Sequence, residues 1–170
     1  MSRPRSNALQ TGQTIEVSGF AVGSFANFDP QAVYYPAPGN PRFMAAYIGN
    51  RRAGHPMKGW KIHISAYPYN AVLVAERVLP VLCGLKIWHK YIKSPMDLSR
   101  MTELQRGKFI TVYTRDTDVS DTGDETRLVV EKVGLALAGS GLSGPDIEEE
   151  RALAPSIFAR YSYDYTKPGE

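Results

Sequence analysis

The chain is poor in the features that most readily announce a function. Among its 170 residues there is one cysteine, Cys83. That excludes an intramolecular disulfide and a zinc site built on cysteines. Cys83 lies in the apolar run "VLPVLCGL", so it reads as a small buried hydrophobe, which fits a reducing compartment such as the cytoplasm without requiring one. No apolar run approaches the length of a membrane span. The opening "MSRPRSNALQTGQT" lacks the apolar segment of a signal peptide. Charge bias is slight: the net charge is +3, with a pI near 9.0. That suits an anionic substrate and is too weak to argue for nucleic acid.

Motifs are scarce as well. There is no GxGxxG, no P-loop, no HRD-like catalytic loop and no GxSxG. The three histidines, His55, His63 and His89, lack metal-ligand spacing. In "DTDVSDTGDE", counting a calcium loop from Asp118 puts Gly123 at the turn position. The twelfth position is Val129 rather than glutamate, so the bidentate ligand is missing and a solvated acidic loop is expected.

What is present describes one globular domain. Hydrophobic residues make up 43% and charged residues 22%, a balance that supports a packed core. Residues 1–14 are polar and expected to be disordered, and 15–166 form the domain. "YYPAPGNPRF" (34–43) reads as a loop because its prolines oppose regular structure. A strand follows at 59–66, then a helix from Asn70, its N-cap, ended or kinked by Pro80. "KIWHKYIK" (86–93) and "GKFITVYT" (107–114) read as strands. "TRLVVEKVGLALAG" (126–139) reads as a helix stopped near Gly139, and "SIFARYSY" (156–163) as a last strand. The order strand, helix, strand, strand, helix, strand predicts an α+β fold. Helices should cover one face of a mainly antiparallel sheet behind a loop-rich N-terminal region.

The first strand, "GWKIHISA", carries the sharpest signal. Side chains alternate along a strand, so Trp60, Ile62 and Ile64 share one face while Lys61, His63 and Ser65 share the other. A solvated strand face would explain the second set without any function. Yet every later strand also carries a basic or phenolic residue: Lys90, Tyr113 and Arg160, with Arg106 and Lys108 at the entry to the third strand. Together these side chains would form an anion pocket, with Arg160 suited to bidentate phosphate contact. Parity sets a condition. Lys108 and Tyr113 alternate to opposite faces, so both line one pocket only if the strand end bends.

"GWKIHISA", the helix from Asn70, "HKYIKS", "GKFITVYT" and "FARYSY" closely resemble, in the same order, the N-terminal lyase domain of class III lanthipeptide synthetases. They are similar, more distantly, to type III secretion effectors that act as phosphothreonine lyases. The resemblance spans about 59–164. It implies β-elimination: phosphoserine or phosphothreonine in a peptide loses phosphate and becomes dehydroalanine or dehydrobutyrine. The lysine that takes the Cα proton falls on Lys61, and the histidine that protonates the leaving phosphate on His63. A second lysine that steadies developing charge falls on Lys90. Tyr113 and Arg160 match phosphate-side groups, and Arg100 and Arg106 both fit a further phosphate-binding arginine.

No metal or organic cofactor is required by that chemistry. The chain carries no counterpart of the family's kinase or cyclase regions, so separate kinase and cyclase proteins are expected partners beside the phosphorylated peptide. Nucleic acid and membrane are not expected partners. One rival is a secreted effector that inactivates host kinases; only Leu9 follows Arg3 and Arg5, a weak match to a kinase-docking motif. The other is a non-catalytic phosphopeptide or leader-peptide binding module, against which the retained Lys61–His63 pair argues.

Overall fold

The computed structural model describes residues 34–37, 40–46, 59–114 and 123–162. The expected disorder of residues 1–14, His55 and most of the acidic loop lie outside these described residues. Within them are seven strands: β1 (Tyr35–Pro36), β2 (Phe43–Ala46), β3 (Gly59–Ser65), β4 (His89–Ile92), β5 (Lys108–Tyr113), β6 (Arg151–Ala154) and β7 (Ile157–Ser162). Three α-helices accompany them, α1 (Ala71–Gly84), α2 (Pro95–Ser99) and α3 (Gly123–Leu137), with a short 3-10 turn at Glu103–Gln105. One sheet takes all seven strands in the order β1-β2-β4-β5-β3-β7-β6. Every neighbouring pair is antiparallel. The α+β antiparallel architecture is the one the sequence pattern predicts.

The alternation of β3 does what its sequence implies. Ile62 and Ile64 are fully buried and join Ile110 and Val112 of β5 in the main core. Val74, Val78 and Leu82 of α1 and Val129 and Val133 of α3 complete that core, and α1 packs on α3. Each such aliphatic side chain contributes about 1.5–3 kcal/mol on full burial. No helix of the described residues is long and apolar enough to cross a membrane.

Several local expectations need correction. Helix α1 does not stop at Pro80 but runs on to Gly84. A helix-interior proline costs about 3 kcal/mol, and burial of Leu79, Pro80, Leu82 and Cys83 around it offsets that cost. Asn70 stands at the N-cap position without a side-chain cap bond. Its Oδ1 instead accepts from the Tyr67 N–H (3.0 Å) and its Nδ2 donates to the Ser143 carbonyl (2.7 Å). Helix α3 begins at Gly123, three residues early, because Asp124 and Glu125 suit the positive end of a helix dipole. It ends at Leu137, and Gly139 adopts the left-handed φ of +67° that marks a helix stop.

The proline-rich stretch 34–43 is not all loop, since it holds β1 and the first residue of β2. Helix α2 has a signal the strand pattern hid: Ser94 caps it by accepting from the Asp97 N–H, and Pro95 opens it.

The ladder between β3 and β5 is irregular at one point. Its register pairs Ile64 with Ile110 and then Ser65 with Lys108, skipping a residue. Such a bulge changes the parity of the strand end. Lys108 therefore reaches the side of the sheet that carries His63.

Candidate active site

Strand register places the polar residues in two adjacent rows. Across β5, β3 and β7, Tyr113 lies beside Lys61 and Lys61 beside Arg160. Across β4, β5 and β3, Lys90 lies beside Thr111 and Thr111 beside His63. With neighbouring strands ~4.8 Å apart, Lys90 and His63 start ~10 Å from each other, near enough for long side chains to reach one small substrate group. The sheet thus brings Lys61, His63, Lys90, Tyr113 and Arg160 onto one face, and the bulge adds Lys108.

Tyr113 forms the wall between the lysines. Its ring stacks on Trp88 at 3.6 Å, with the Lys61 ammonium 5.4 Å and the Lys90 ammonium 5.8 Å from its centroid. Lys90 also lies over Phe43 at 4.3 Å. Such contacts hold a cation where little water reaches it. Lys61 is fully buried. Burial pushes the Lys90 ammonium down to about 8, well below an ordinary lysine.

The residue that sequence reasoning missed is Glu150. It sits at the end of the loop before β6, with a side chain only 2% exposed. Its Oε2 accepts from Nδ1 of His63 at 2.7 Å, and its Oε1 pairs with Lys108 Nζ at 2.8 Å. Arg160 Nε stands 3.8 Å from the same Oε1. Burial works to raise the Glu150 carboxyl, but the His63 hydrogen bond and the Lys108 charge prevail and hold it below the ordinary range. For His63, burial wins: it drops to about 4, against the upward pull of Glu150 and with a further push down from Lys108 and Lys61. Glu150 belongs to the acidic run "DIEEE". Nothing in that run distinguishes it from the exposed Glu148 and Glu149.

The two candidate arginines before β5 are not among the buried residues of these rows. Arg100 is exposed at the C-terminus of α2. Arg106 is exposed at the rim of a half-open cavity of about 180 Å³ whose lining includes Ala66, Pro68, Leu98, Met101 and Pro145.

Residues 42–164 match the family described as RamC, N-terminal domain. That match covers well over half of the chain, which therefore belongs to this family. The phosphothreonine lyase effector VirA (SpvC) of Chromobacterium violaceum shares its fold, with a TM-score of 0.56 and 18% identity. The likeness covers 94% of this chain and 78% of that one. The Salmonella plasmid virulence C protein, SpvC, superposes with a TM-score of 0.52 at 14% identity, over 96% of this chain and 79% of that one. The Shigella flexneri type III effector and phosphothreonine lyase OspF gives 0.50 at 18%, over 75% and 67%. No curated protein matches the chain by sequence. These likenesses establish a common fold.

Proposed function

We propose that the chain is a phosphoserine/phosphothreonine lyase that removes phosphate from a phosphorylated peptide by β-elimination. The observation that carries this reading is the pair of rows on one sheet face, where the fully buried Lys61, the half-buried Lys90, a histidine, a tyrosine and an arginine converge. Its fold neighbours that are named phosphothreonine lyases, and the resemblance of five ordered segments to the lyase domain of class III lanthipeptide synthetases, support it further.

The chemistry follows from the groups. A base takes the Cα proton, the electron pair forms the Cα=Cβ bond, and the Cβ–O bond breaks. Phosphate leaves with that bond's electrons and takes a proton from His63. Arg160, 31% exposed along its side chain, is placed to grip the phosphate with its planar fork. The lysines offset negative charge building on the substrate carbonyl and the phosphate.

Lys61 is the base in the reading that the resemblance supports, with Lys90 steadying charge. One observation makes Lys90 a second candidate for the base beside the more deeply buried Lys61. At about 8, Lys90 is roughly a tenth deprotonated at neutral pH, far more than an ordinary lysine. Aminoethylating a cysteine placed at 61 or at 90 makes a more acidic ammonium. The ascending limb of the pH–rate profile moves down only at the position of the base.

The setting with the most sequence support is maturation of a ribosomally made peptide beside a separate kinase and cyclase in the cytoplasm. A secreted effector acting on host kinases is the second reading, supported by the fold neighbours, two of which are named as effectors and one of those as a type III effector. The activity itself is tested by incubating the protein with a phosphothreonine peptide and a thiol. Phosphate release with a thiol adduct on the peptide is the expected outcome, unchanged by chelator. A plain threonine peptide would mean hydrolysis and would overturn the reading.

A further inference from the structure

We propose that His63, Glu150 and Lys108 form one buried proton-donor unit, in which Glu150 is a positioning residue that fixes the His63 ring and Lys108 is its counter-ion rather than a phosphate ligand. This deepens the lyase reading and rests on it. Both carboxylate oxygens are engaged: Oε2 accepts from His63 Nδ1–H at 2.7 Å, and Oε1 is ion-paired with the Lys108 ammonium at 2.8 Å. The two ring nitrogens of an imidazole point to opposite sides. With Nδ1 turned to Glu150, Nε2 is the nitrogen left to meet a leaving oxygen, and no described residue bonds to it.

Exposure separates Lys108 from Arg160. The Lys108 side chain is 5% exposed and locked against Glu150, whereas Arg160 is 31% exposed and only 3.8 Å from that carboxylate. An incoming phosphate therefore meets Arg160 and not Lys108. Displacing Glu150 instead would leave Lys108 buried without its counter-charge, which is strongly unfavourable.

The loop that carries Glu150 is clamped at residues 143–145. Asn70 Nδ2 donates to the Ser143 carbonyl at 2.7 Å, and the Gly144 N–H donates to Ser156 Oγ at 3.0 Å. A Cβ at Gly144 would collide with the backbone of Ser65 and Ala66, and Pro145 packs directly on Gly107. Glu150 is thus held beside β3 before any substrate arrives.

The charged groups facing His63 among the described residues are Lys61 from β3, Lys108 from β5, Lys90 from β4, Arg160 from β7 and Glu150. Glu150 is the one anion among them. Its role is to favour the imidazolium, the form a general acid needs, against burial and the surrounding cations.

The test uses the full chain with Glu150→Gln, Glu150→Asp and Lys108→Met. Glu150→Gln should lower kcat by ~10²-fold, the usual weight of general acid catalysis, with KM within about twofold. The alkaline limb of its pH–rate profile should move to lower pH, and Glu150→Asp should recover part of the loss. Lys108→Met removes a cation that disfavours the imidazolium, so its alkaline limb should move to higher pH with KM unchanged. A Lys108→Met variant whose KM rises tenfold would make Lys108 a phosphate ligand and overturn the assignment, as would Glu150→Gln with an unaltered kcat and pH profile. Imidazole ¹⁵N NMR without substrate decides independently of any lyase activity. The Nδ1–H tautomer of neutral His63, lost in Glu150→Gln, is the expected result; the Nε2–H tautomer in the unmutated protein would refute the unit. Absence of phosphate release by the unmutated protein would sink the lyase reading instead.

Discussion

His63 and His89 are both buried histidines on strands of one sheet, and burial lowers both to about 4. Their positions differ by one step of alternation. His63 lies opposite Thr111 of β5, whereas His89 lies opposite Val112. That step puts them on opposite faces, His63 among the cations and His89 towards the helices. The partners then diverge. His89 Nδ1 bonds to the Ile87 carbonyl at 2.8 Å, which can only accept, so Nδ1 carries the proton. Its Nε2 therefore accepts from the Tyr34 hydroxyl at 2.7 Å, and Cys83 Sγ lies 3.1 Å from that same oxygen. Burial pushes the Cys83 thiol up to about 12, so it stays protonated. Both nitrogens of His89 are spent on structure. His63 spends one nitrogen on Glu150 and, in the proposed mechanism, keeps the other for chemistry. A shifted histidine is thus no mark of a site by itself; the charged partner and the uncommitted nitrogen are.

The sharpest way to break this comparison is to remove each histidine in turn. His63→Ala should lower turnover by ~10²-fold or more, and Lys61→Ala should abolish it while phosphopeptide still binds. His89→Gln should keep turnover per folded molecule within about twofold. Its cost should appear in stability, as buried hydrogen bonds worth roughly 1–3 kcal/mol are lost. That corresponds to a drop in Tm of about 2–12 °C for a chain of this size. Near-normal rates in His63→Ala, or lost rates in well-folded His89→Gln, would erase the distinction between the faces.

Acid sharpens the same contrast. A histidine whose folded pKa lies below its unfolded value contributes stability that is fully present above the unfolded pKa, about 6.5. That stability is lost as pH falls through about 4, the folded value of both residues. Thermal melts between pH 7 and pH 4 should therefore show falling Tm. His89→Gln should make the fall shallower, without moving the pH dependence of turnover. An unchanged acid slope in His89→Gln would mean that its burial is not the cause.

A smaller effect belongs to the phosphate side. Arg160→Lys keeps the charge and loses the fork, so phosphopeptide affinity should fall roughly tenfold. Arg151→Lys, at an exposed position, should change it little, and unphosphorylated peptide should not distinguish the two variants. Equal effects of both substitutions on phosphopeptide affinity would detach Arg160 from the pocket.

The alternation of "GWKIHISA" was enough to read which face of β3 is core and which is polar, and the later strands extend both faces. Pro80 misled because tertiary burial outweighs a local propensity. β1, β2 and β6 escaped notice because strands of two to four residues, among prolines or acidic residues, have no periodicity to display. Parity argued against Lys108, correctly for a regular strand, and a single bulge reversed it. Glu150 was beyond reach. Its position comes from a loop clamped by Asn70 and Ser156, contacts that join residues 73 and 12 positions apart.

The most direct test of the central claim, that this face eliminates phosphate rather than hydrolysing it, is the reaction in ¹⁸O-enriched water. β-Elimination breaks the Cβ–O bond, so the released phosphate keeps all four substrate oxygens. Phosphate free of solvent ¹⁸O, beside a peptide that has become an alkene, is the predicted result. Phosphate carrying one solvent oxygen, with the hydroxyl restored on the peptide, would contradict the account.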